Sequence, residues 1–373
     1  MKLPKLVIKN FTIGNCIFQG GMGVGVSRWP LAGAVSEEDA LGTLSSACLS
    51  TIHSLESGKH LDTYSAVFKE IKMAQERSMG KPIGINVMCA GVSDYKDTIR
   101  ASIDAEVDAI ISGAGLPLGL PGIQPPGHTA LIPIVSSARA FKIILKRWEQ
   151  FGYRPDAVAL EGPLAGGHLG FKIEEVDNPE QTLEKLLPDV LDVAHEHGDI
   201  PVIVAGGIYT HEDIWVFVDA GASGVQMGTR FLATEESSAT DAYKQAVVRA
   251  GLDDIIVVSS PGNSPSSPCD LPFRTLKTSP MYMAKRVPKC THGYLLRQKD
   301  GRPFCKAMPQ NTDSELFLCP CSGLLSSCGS DSGLDLYTVG SNAYRVNEIL
   351  SVAKLMAELR GDAADAVAHL LSK

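Results

Sequence analysis

Ala159-Leu160-Glu161-Gly162-Pro163-Leu164-Ala165-Gly166-Gly167-His168-Leu169-Gly170 is the stretch on which the reading of this chain turns. The apolar run from Asp156 to Leu160 predicts a short buried strand, which then breaks into a glycine-rich loop carrying one histidine. Two glycines ahead of the ring let backbone approach something flat or anionic. Imidazole ordinarily titrates near neutrality, as a base or acid requires. Two more junctions of this kind follow, Pro201-Val202-Ile203-Val204-Ala205-Gly206-Gly207-Ile208 and Gly224-Val225-Gln226-Met227-Gly228-Thr229-Arg230-Phe231. Three successive strands that end in glycine point to one site at the C-terminal ends of parallel strands, where α/β barrels carry their chemistry.

Working outward, Ile17–Gly23 (a strand ending in a flexible loop), Leu41–Leu44, Pro82–Met88, Ala109–Gly115 (a strand and then a glycine turn) and Thr129–Val135 predict five earlier strands, after an N-terminal β-arm at Leu6–Ile13. Helical spacing separates them at Trp29–Ser36, Asp62–Met79, Tyr95–Glu106 and Ser137–Gln150. It continues at Pro179–His197, His211–Ala220 and Ser238–Ala250. Strand–helix alternation of this kind implies a parallel sheet covered by helices. Eight strands after the arm favour a closed (β/α)8 TIM barrel over an open sheet.

The formal net charge of −8 argues against a nucleic-acid groove, which needs a basic face. No run approaches the ~18 apolar residues of a membrane span. The N-terminus shows no signal-peptide core followed by a cleavage site, so a cytoplasmic address is expected. Nine cysteines are an odd number in a long chain, unlike a secreted disulfide framework.

From Ser259 the character changes to Ser, Pro, Gly and Cys with weak periodicity, and helix is expected again over Arg345–Arg360. The expected organisation is a barrel over residues 1–258, an irregular cysteine-rich cap over 259–339, and a C-terminal helical segment over 340–373 that packs on the barrel. Cys290, Cys305, Cys319, Cys321 and Cys328 are crowded, but their spacing is loose and lacks a Cys-x-x-Cys knuckle. They are read as reduced thiols, with a metal or cluster left open and no metal site assigned. Within the same region Arg274, Lys277, Lys285, Arg286, Lys289, Arg297, Lys299, Arg302 and Lys306 make a basic stretch that would suit a phosphorylated or carrier-bound ligand.

The junctions Ala205-Gly206-Gly207 and Gly228-Thr229 are the expected phosphate grip, because a Cβ would hold a phosphate off the backbone N–H groups. Gln19, Asn86 and Gln226 are amides at strand ends, and a primary amide suits the donor–acceptor edge of a flavin. Local backbone satisfaction is the competing reading of each. His168 is the candidate base or acid. Gly21-Met22-Gly23-Val24-Gly25 lacks the third glycine of a dinucleotide fingerprint and is not read as one.

Gln19-Gly20-Gly21-Met22, Gly84-Ile85-Asn86, Gly113-Ala114-Gly115, Ala165-Gly166-Gly167-His168-Leu169-Gly170, Ala205-Gly206-Gly207-Ile208 and Gln226-Met227-Gly228-Thr229-Arg230-Phe231 occur in order. Gly340-Ser341-Asn342-Ala343-Tyr344-Arg345 follows later. This set resembles the nitronate monooxygenase family, formerly 2-nitropropane dioxygenases, whose superfamily also holds FMN-dependent enoyl-acyl-carrier-protein reductases and NADH:quinone reductases. The resemblance implies an FMN-binding barrel with His168 as catalytic residue. It implies cofactor contacts from Gly21, Met22, Gly23, Asn86, Gly166, Gly167, Ala205, Gly206, Gly207, Gln226, Met227, Gly228 and Thr229. The expected activity is oxidation of alkyl nitronates or nitroalkanes by O2 to carbonyl compounds and nitrite. The alternatives are an NAD(P)H-dependent enoyl-thioester or quinone reductase and, more remotely, a non-catalytic flavin- or metal-binding module. The expected partners are a small-molecule substrate and a second copy in a homodimer, with no nucleic acid or membrane.

Overall fold

The computed structural model describes residues 2–89, 94–258, 272–283, 320–330 and 334–362. Strands β1 (Leu6–Ile8) and β2 (Phe11–Ile13) form an antiparallel hairpin. Then come β3 (Ile17–Gln19), α1 (Trp29–Glu37), β4 (Gly42–Ser45), α2 (Leu49–Ser57), α3 (Thr63–Arg77), β5 (Ile83–Met88), α4 (Tyr95–Asp104), β6 (Ala109–Gly113), β7 (Ala130–Val135), α5 (Ala138–Glu149) and β8 (Val158–Glu161). The two-residue strand β9 (Gly167–His168) precedes α6 (Leu183–Glu196), β10 (Val202–Ala205), α7 (His211–Asp219), β11 (Gly224–Met227), α8 (Thr229–Leu232) and α9 (Asp241–Arg249). The remainder is β12 (Ile255–Val258), β13 (Phe273–Leu276), α10 (Pro280–Met283), α11 (Pro320–Ser327) and α12 (Val352–Arg360).

Eight parallel strands lie in the order β3-β11-β10-β8-β7-β6-β5-β4. The ring is closed by a parallel bridge from Phe18 to Leu41, with Gln19 N donating to Leu41 O at 2.9 Å and Leu41 N to Ile17 O at 3.0 Å. This is the expected TIM barrel. Its strands read as apolar runs because both faces are covered: Val158, Ala159 and Leu160, like Val202, Ile203 and Val204, are buried. Outside, α5 turns Phe141, Ile144, Leu145 and Trp148 inward at helical spacing, and Trp148 Nε1 donates to Pro117 O at 2.9 Å. The β1–β2 hairpin covers the N-terminal end. Leu6 packs against Gly224 at the start of β11, and Lys9 Nζ donates to Thr129 O just before β7. The C-terminal end is left for the cap.

The cap is a three-stranded antiparallel sheet, β12-β13-β9, with α11 and the 334–339 segment packed beside it. Ile255–Val258, placed by the sequence within the barrel range, pairs with β13 of the cap sheet. β9 is the histidine loop itself, which leaves the barrel after β8 and becomes an edge strand of the cap. Helix was expected from Arg345, yet α12 begins at Val352, because Ser351 caps it and Leu350 is held extended by a bridge to Thr234. Cys269, Cys290, Cys305 and Cys319 lie outside the described residues, as do Lys285, Arg286, Lys289, Arg297, Lys299, Arg302 and Lys306. Among the described residues no helix is long and apolar enough to cross a membrane, and no group of three His, Cys, Asp or Glu could hold a metal.

Gly42 shows how tightly the barrel is wrapped, since a Cβ there would lie 1.7 Å from Ala32 O of α1. Gly42→Ala is expected to destabilise the fold at or beyond the upper end of the ~1–3 kcal/mol cost of overpacking. Gly119→Ala faces open space and should leave the urea midpoint unchanged.

Candidate active site

A cavity of about 530 Å³ opens at the C-terminal ends of the barrel strands, beneath the cap. All the candidate residues but Gln19 border it: Gly21, Met22 and Gly23 after β3, Asn86 in β5, Gly166, Gly167 and His168 after β8, Ala205, Gly206 and Gly207 at β10, and Gln226, Met227, Gly228 and Thr229 at β11. Phe273, Cys321 and Leu324 of the cap also line it.

The β10 junction needs its glycines. Gly206 and Gly207 have φ of +104° and +81°, and a Cβ on either would meet the 162–165 loop at under 3.0 Å. Gly166 lies against the backbone of Val339 and Gly340, which a Cβ would reach at 2.6 Å. Residues 340–342 lace these loops together. Gly340 N donates to Thr229 Oγ1 at 2.8 Å, Ser341 N to Leu164 O at 3.1 Å, and Asn342 Nδ2 to Gly207 O at 2.5 Å. Because Thr229 Oγ1 accepts from Gly340, its own proton remains available to an anion.

The three strand-end amides divide. Gln19 is fully buried and locally satisfied: Nε2 donates to Ser27 Oγ and Gly20 O, and Oε1 accepts from Thr43 N at 3.0 Å. It does not border the cavity, so local satisfaction is its role. Asn86 and Gln226 do border it. Gln226 Oε1, His168 Nε2 and Ser341 Oγ are buried polar atoms of the cavity wall with no hydrogen-bond partner among the described residues. Buried polar atoms are ordinarily paired, so three on one wall mark a place for a polar ligand.

His168 is held from the cap side. Its backbone pairs with Phe273, Leu169 N donates to Pro272 O at 2.8 Å, and the Phe273 ring meets the imidazole edge-on at 4.7 Å. Burial without a countercharge pushes the imidazole down to about 4. The ring is therefore a neutral base at pH 7, well below the near-neutral titration expected from sequence.

Two residues gain importance only in three dimensions. Glu161 ends β8 and borders the cavity; burial pushes its carboxyl up to about 7. Arg274, read from sequence as part of a basic mouth, is buried beneath the loop. Its Nη1 donates to Pro163 O and Ala165 O, both at 2.6 Å. Lys277, from the same stretch, pairs with Asp254 at 3.2 Å. Neither described residue supplies free positive charge at the mouth. The alternation Phe273-Arg274-Thr275-Leu276 was the available signal for a strand with arginine inside it.

The sequence matches the profile of the nitronate monooxygenase family over residues 5–108 and 89–362. The chain belongs to the nitronate monooxygenase family. The enzymes of this family are oxidoreductases, and the chain is one of them. It is 29% identical over 278 residues to a 5-hydroxy-7a-methyl-1-oxo-octahydro-1H-indene-4-carboxyl-CoA dehydrogenase of Mycobacterium tuberculosis, covering 74% of this chain and 67% of that one. With the dehydrogenase of the same name from Rhodococcus jostii it shares 30% identity over 65% of this chain and 58% of the relative, less than two thirds of its length. A probable nitronate monooxygenase of Bacillus subtilis is 27% identical over 66% of this chain and 74% of its own. Among solved structures, FabK from Thermotoga maritima (TM-score 0.66, 24% identity, 96% of each chain) shares the fold. So does a nitroalkane oxidase from Streptomyces ansochromogenes (TM-score 0.66, 22% identity, 96% of this chain and 98% of that one).

The two shifted groups make opposite contributions to stability. His168 titrates lower in the fold than in the unfolded chain, so its contribution falls as pH drops from about 6.5 toward about 4. Glu161 titrates higher in the fold, so its contribution falls as pH rises from about 4.5 to about 7. His168→Ala should therefore flatten the acid-side loss of the protein without added ligand, and Glu161→Gln the loss approaching neutrality. Urea titrations at a series of pH values read both; unchanged slopes would contradict these shifts.

Proposed function

We propose that the cavity holds FMN and that the enzyme oxidises alkyl nitronates, and nitroalkanes after deprotonation, with O2 to carbonyl compounds and nitrite. The convergence of two glycine junctions, the partnerless Gln226 Oε1 and His168 on one cavity carries this reading. The residues present fit such a ligand. The backbone of Ala205, Gly206, Gly207 and Gly228 and the Thr229 hydroxyl would take the phosphate. Gln226, Met227, Asn86, Gly21, Met22 and Gly23 would border the ring system, and Gly166 and Gly167 would let the histidine loop approach it. FMN, when bound, supplies the electron transfer and the reaction with dioxygen.

The chain's own part is to bind, orient and move a proton. Neutral His168 accepts the α-proton of a nitroalkane, and the C–H electron pair becomes the nitronate, whose charge rests on the nitro oxygens. An anion beside the new imidazolium stabilises it, which offsets the burial that depresses its basicity in the absence of substrate. Phe273, Leu324, Met88, Leu116 and Ile134 give the cavity an apolar wall that keeps bulk water from the reacting carbon. The same reading takes the protein as a cytoplasmic homodimer acting on a small molecule. Light scattering tests the dimer.

A second reading is favoured by the two CoA dehydrogenases among the relatives: redox chemistry on a thioester, with NAD(P)H as the partner nucleotide. Anaerobic stopped-flow absorbance at the flavin bands separates the two. Bleaching by propionate 3-nitronate but not by NADH is expected; bleaching by NADH alone would make the enzyme a reductase. A protein that takes up no FMN would overturn the cavity reading. His168→Ala should keep its flavin and lose ~10²–10⁴-fold in turnover of the neutral nitroalkane, the range of general-base catalysis. Its loss on the preformed nitronate should be smaller.

A further inference from the structure

We propose that Glu161 is a second catalytic residue of this cavity: as a carboxylic acid it donates a hydrogen bond to the substrate oxygen that gains charge while His168 takes the proton. The inference rests on the function proposed above and deepens it.

The argument begins with position. Val158, Ala159 and Leu160 of β8 are buried and apolar, and the next residue, at the strand's C-terminal end, is a glutamate that borders the same cavity as His168. Its backbone is fixed by pairing with Ala205, followed by Gly162 N donating to Ala205 O at 2.9 Å. Its carboxyl has no hydrogen-bond or ion-pair partner among the described residues, and desolvation is the one influence acting on it. A solvated surface glutamate needs no partner. One on a cavity wall pays for its position unless a ligand uses it.

Among the described residues no charge on the cavity wall pairs with it, and Arg274, behind the 163–165 loop, is engaged with Pro163 O and Ala165 O. The flanking strands β7 and β10 carry no titratable side chain, and α6 turns Glu184, Lys185, Asp189, Asp192, His195 and Glu196 to solvent. His168, Tyr209, Arg230 and Cys321 are the other titratable groups on the cavity wall. The Arg230 guanidinium is already engaged, with Tyr209 O at 3.2 Å and Glu358 at 2.6 Å.

The chemistry follows from the charge that forms. When the α C–H bond of a nitroalkane breaks, its proton goes to His168 and its electron pair delocalises onto the nitro oxygens. A carboxylate beside those oxygens would repel the product, whereas a carboxylic acid donates to them and keeps its proton. Burial pushes the Glu161 carboxyl up to about 7 and the His168 imidazole down to about 4, so the carboxyl is the acid and the imidazole the base. Activity should then fall on the alkaline side as Glu161 ionises.

Glu161→Gln and Glu161→Leu, made in the FMN-loaded enzyme, test this. The amide of Gln is a donor at every pH, so Glu161→Gln should keep turnover within ~10-fold and lose the alkaline limb of its pH profile. Glu161→Leu has no donor and should lose ~10²-fold or more in kcat, the cost of removing one oxyanion donor, with KM and flavin content unchanged. Infrared difference spectra of the wild type should show a protonated carboxyl band at pH 6 that is gone by pH 9 and absent from Glu161→Gln, a readout independent of turnover. An alkaline limb retained in Glu161→Gln would overturn the proposal. So would full turnover per bound flavin in Glu161→Leu, or absence of the band at pH 6. Loss of flavin from both variants with unchanged turnover per flavin would instead make Glu161 a flavin-holding residue. If wild type bleaches with neither nitronate nor NADH, the functional reading fails, and that is seen before any variant is made.

Discussion

The site depends on one buried cation. Arg274, with no carboxylate within ion-pair distance among the described residues, spends its charge on the carbonyls of Pro163 and Ala165. Those carbonyls belong to the loop that leaves the barrel at Glu161 and arrives at His168. Without the guanidinium they would face a dry interior unpaired, and the loop would keep only its backbone hydrogen bonds, among them those to Ala205, Ser341 and Pro272. Hydrogen bonds to a charged donor contribute about 1.5–3 kcal/mol each, enough to hold a loop that contains two glycines. Because Arg274 sits on a cap strand whose backbone also pairs with Gly167 and His168, the cap holds the imidazole in place as well as covering it.

The same arrangement sets the electrostatics. Behind the loop stands a guanidinium that burial holds down to about 10, still charged at neutrality. On the cavity side stand an imidazole held neutral and a carboxyl held near the middle of its titration. The wall nearest the histidine therefore carries little negative charge at neutral pH, backed by one fixed positive charge. Such a wall favours a ligand that is anionic or becomes anionic as it reacts.

The barrel was legible from sequence for a physical reason. Parallel strands covered on both faces become apolar runs, and runs such as Pro201–Ala205 and Ala157–Leu160 cannot be mistaken for surface. The glycine junctions were legible because close approach and positive φ leave a trace in residue type, as Gly206 and Gly207 show. What stayed hidden depended on tertiary partners. β9 is two residues long and exists only because β13 pairs with it. Gln19 and Gln226 look alike in sequence and differ only in what surrounds them, Ser27 and Thr43 for one, the cavity for the other. Arg274 looked like a surface charge because sequence does not show that two carbonyls wait for it. The low basicity of His168 follows from burial that no local pattern encodes.

This difference explains why family is easier to read here than substrate. The end of the cavity proposed to take the phosphate is lined largely by backbone, so it needs glycine, and glycine can be seen in a sequence. It is held together by residues 340–342, which reach back to Thr229, Leu164 and Gly207 and complete that end only when the chain returns from the cap. The cap lines the cavity with side chains, Phe273, Cys321 and Leu324, carried by elements whose positions are set by long-range pairing. Apolar residues in a cap can be exchanged for others of similar volume without disturbing the barrel beneath them. The cap wall is thus the part of the cavity least constrained by local sequence, and a chain can keep the glycine junctions of its family's pattern while that wall changes.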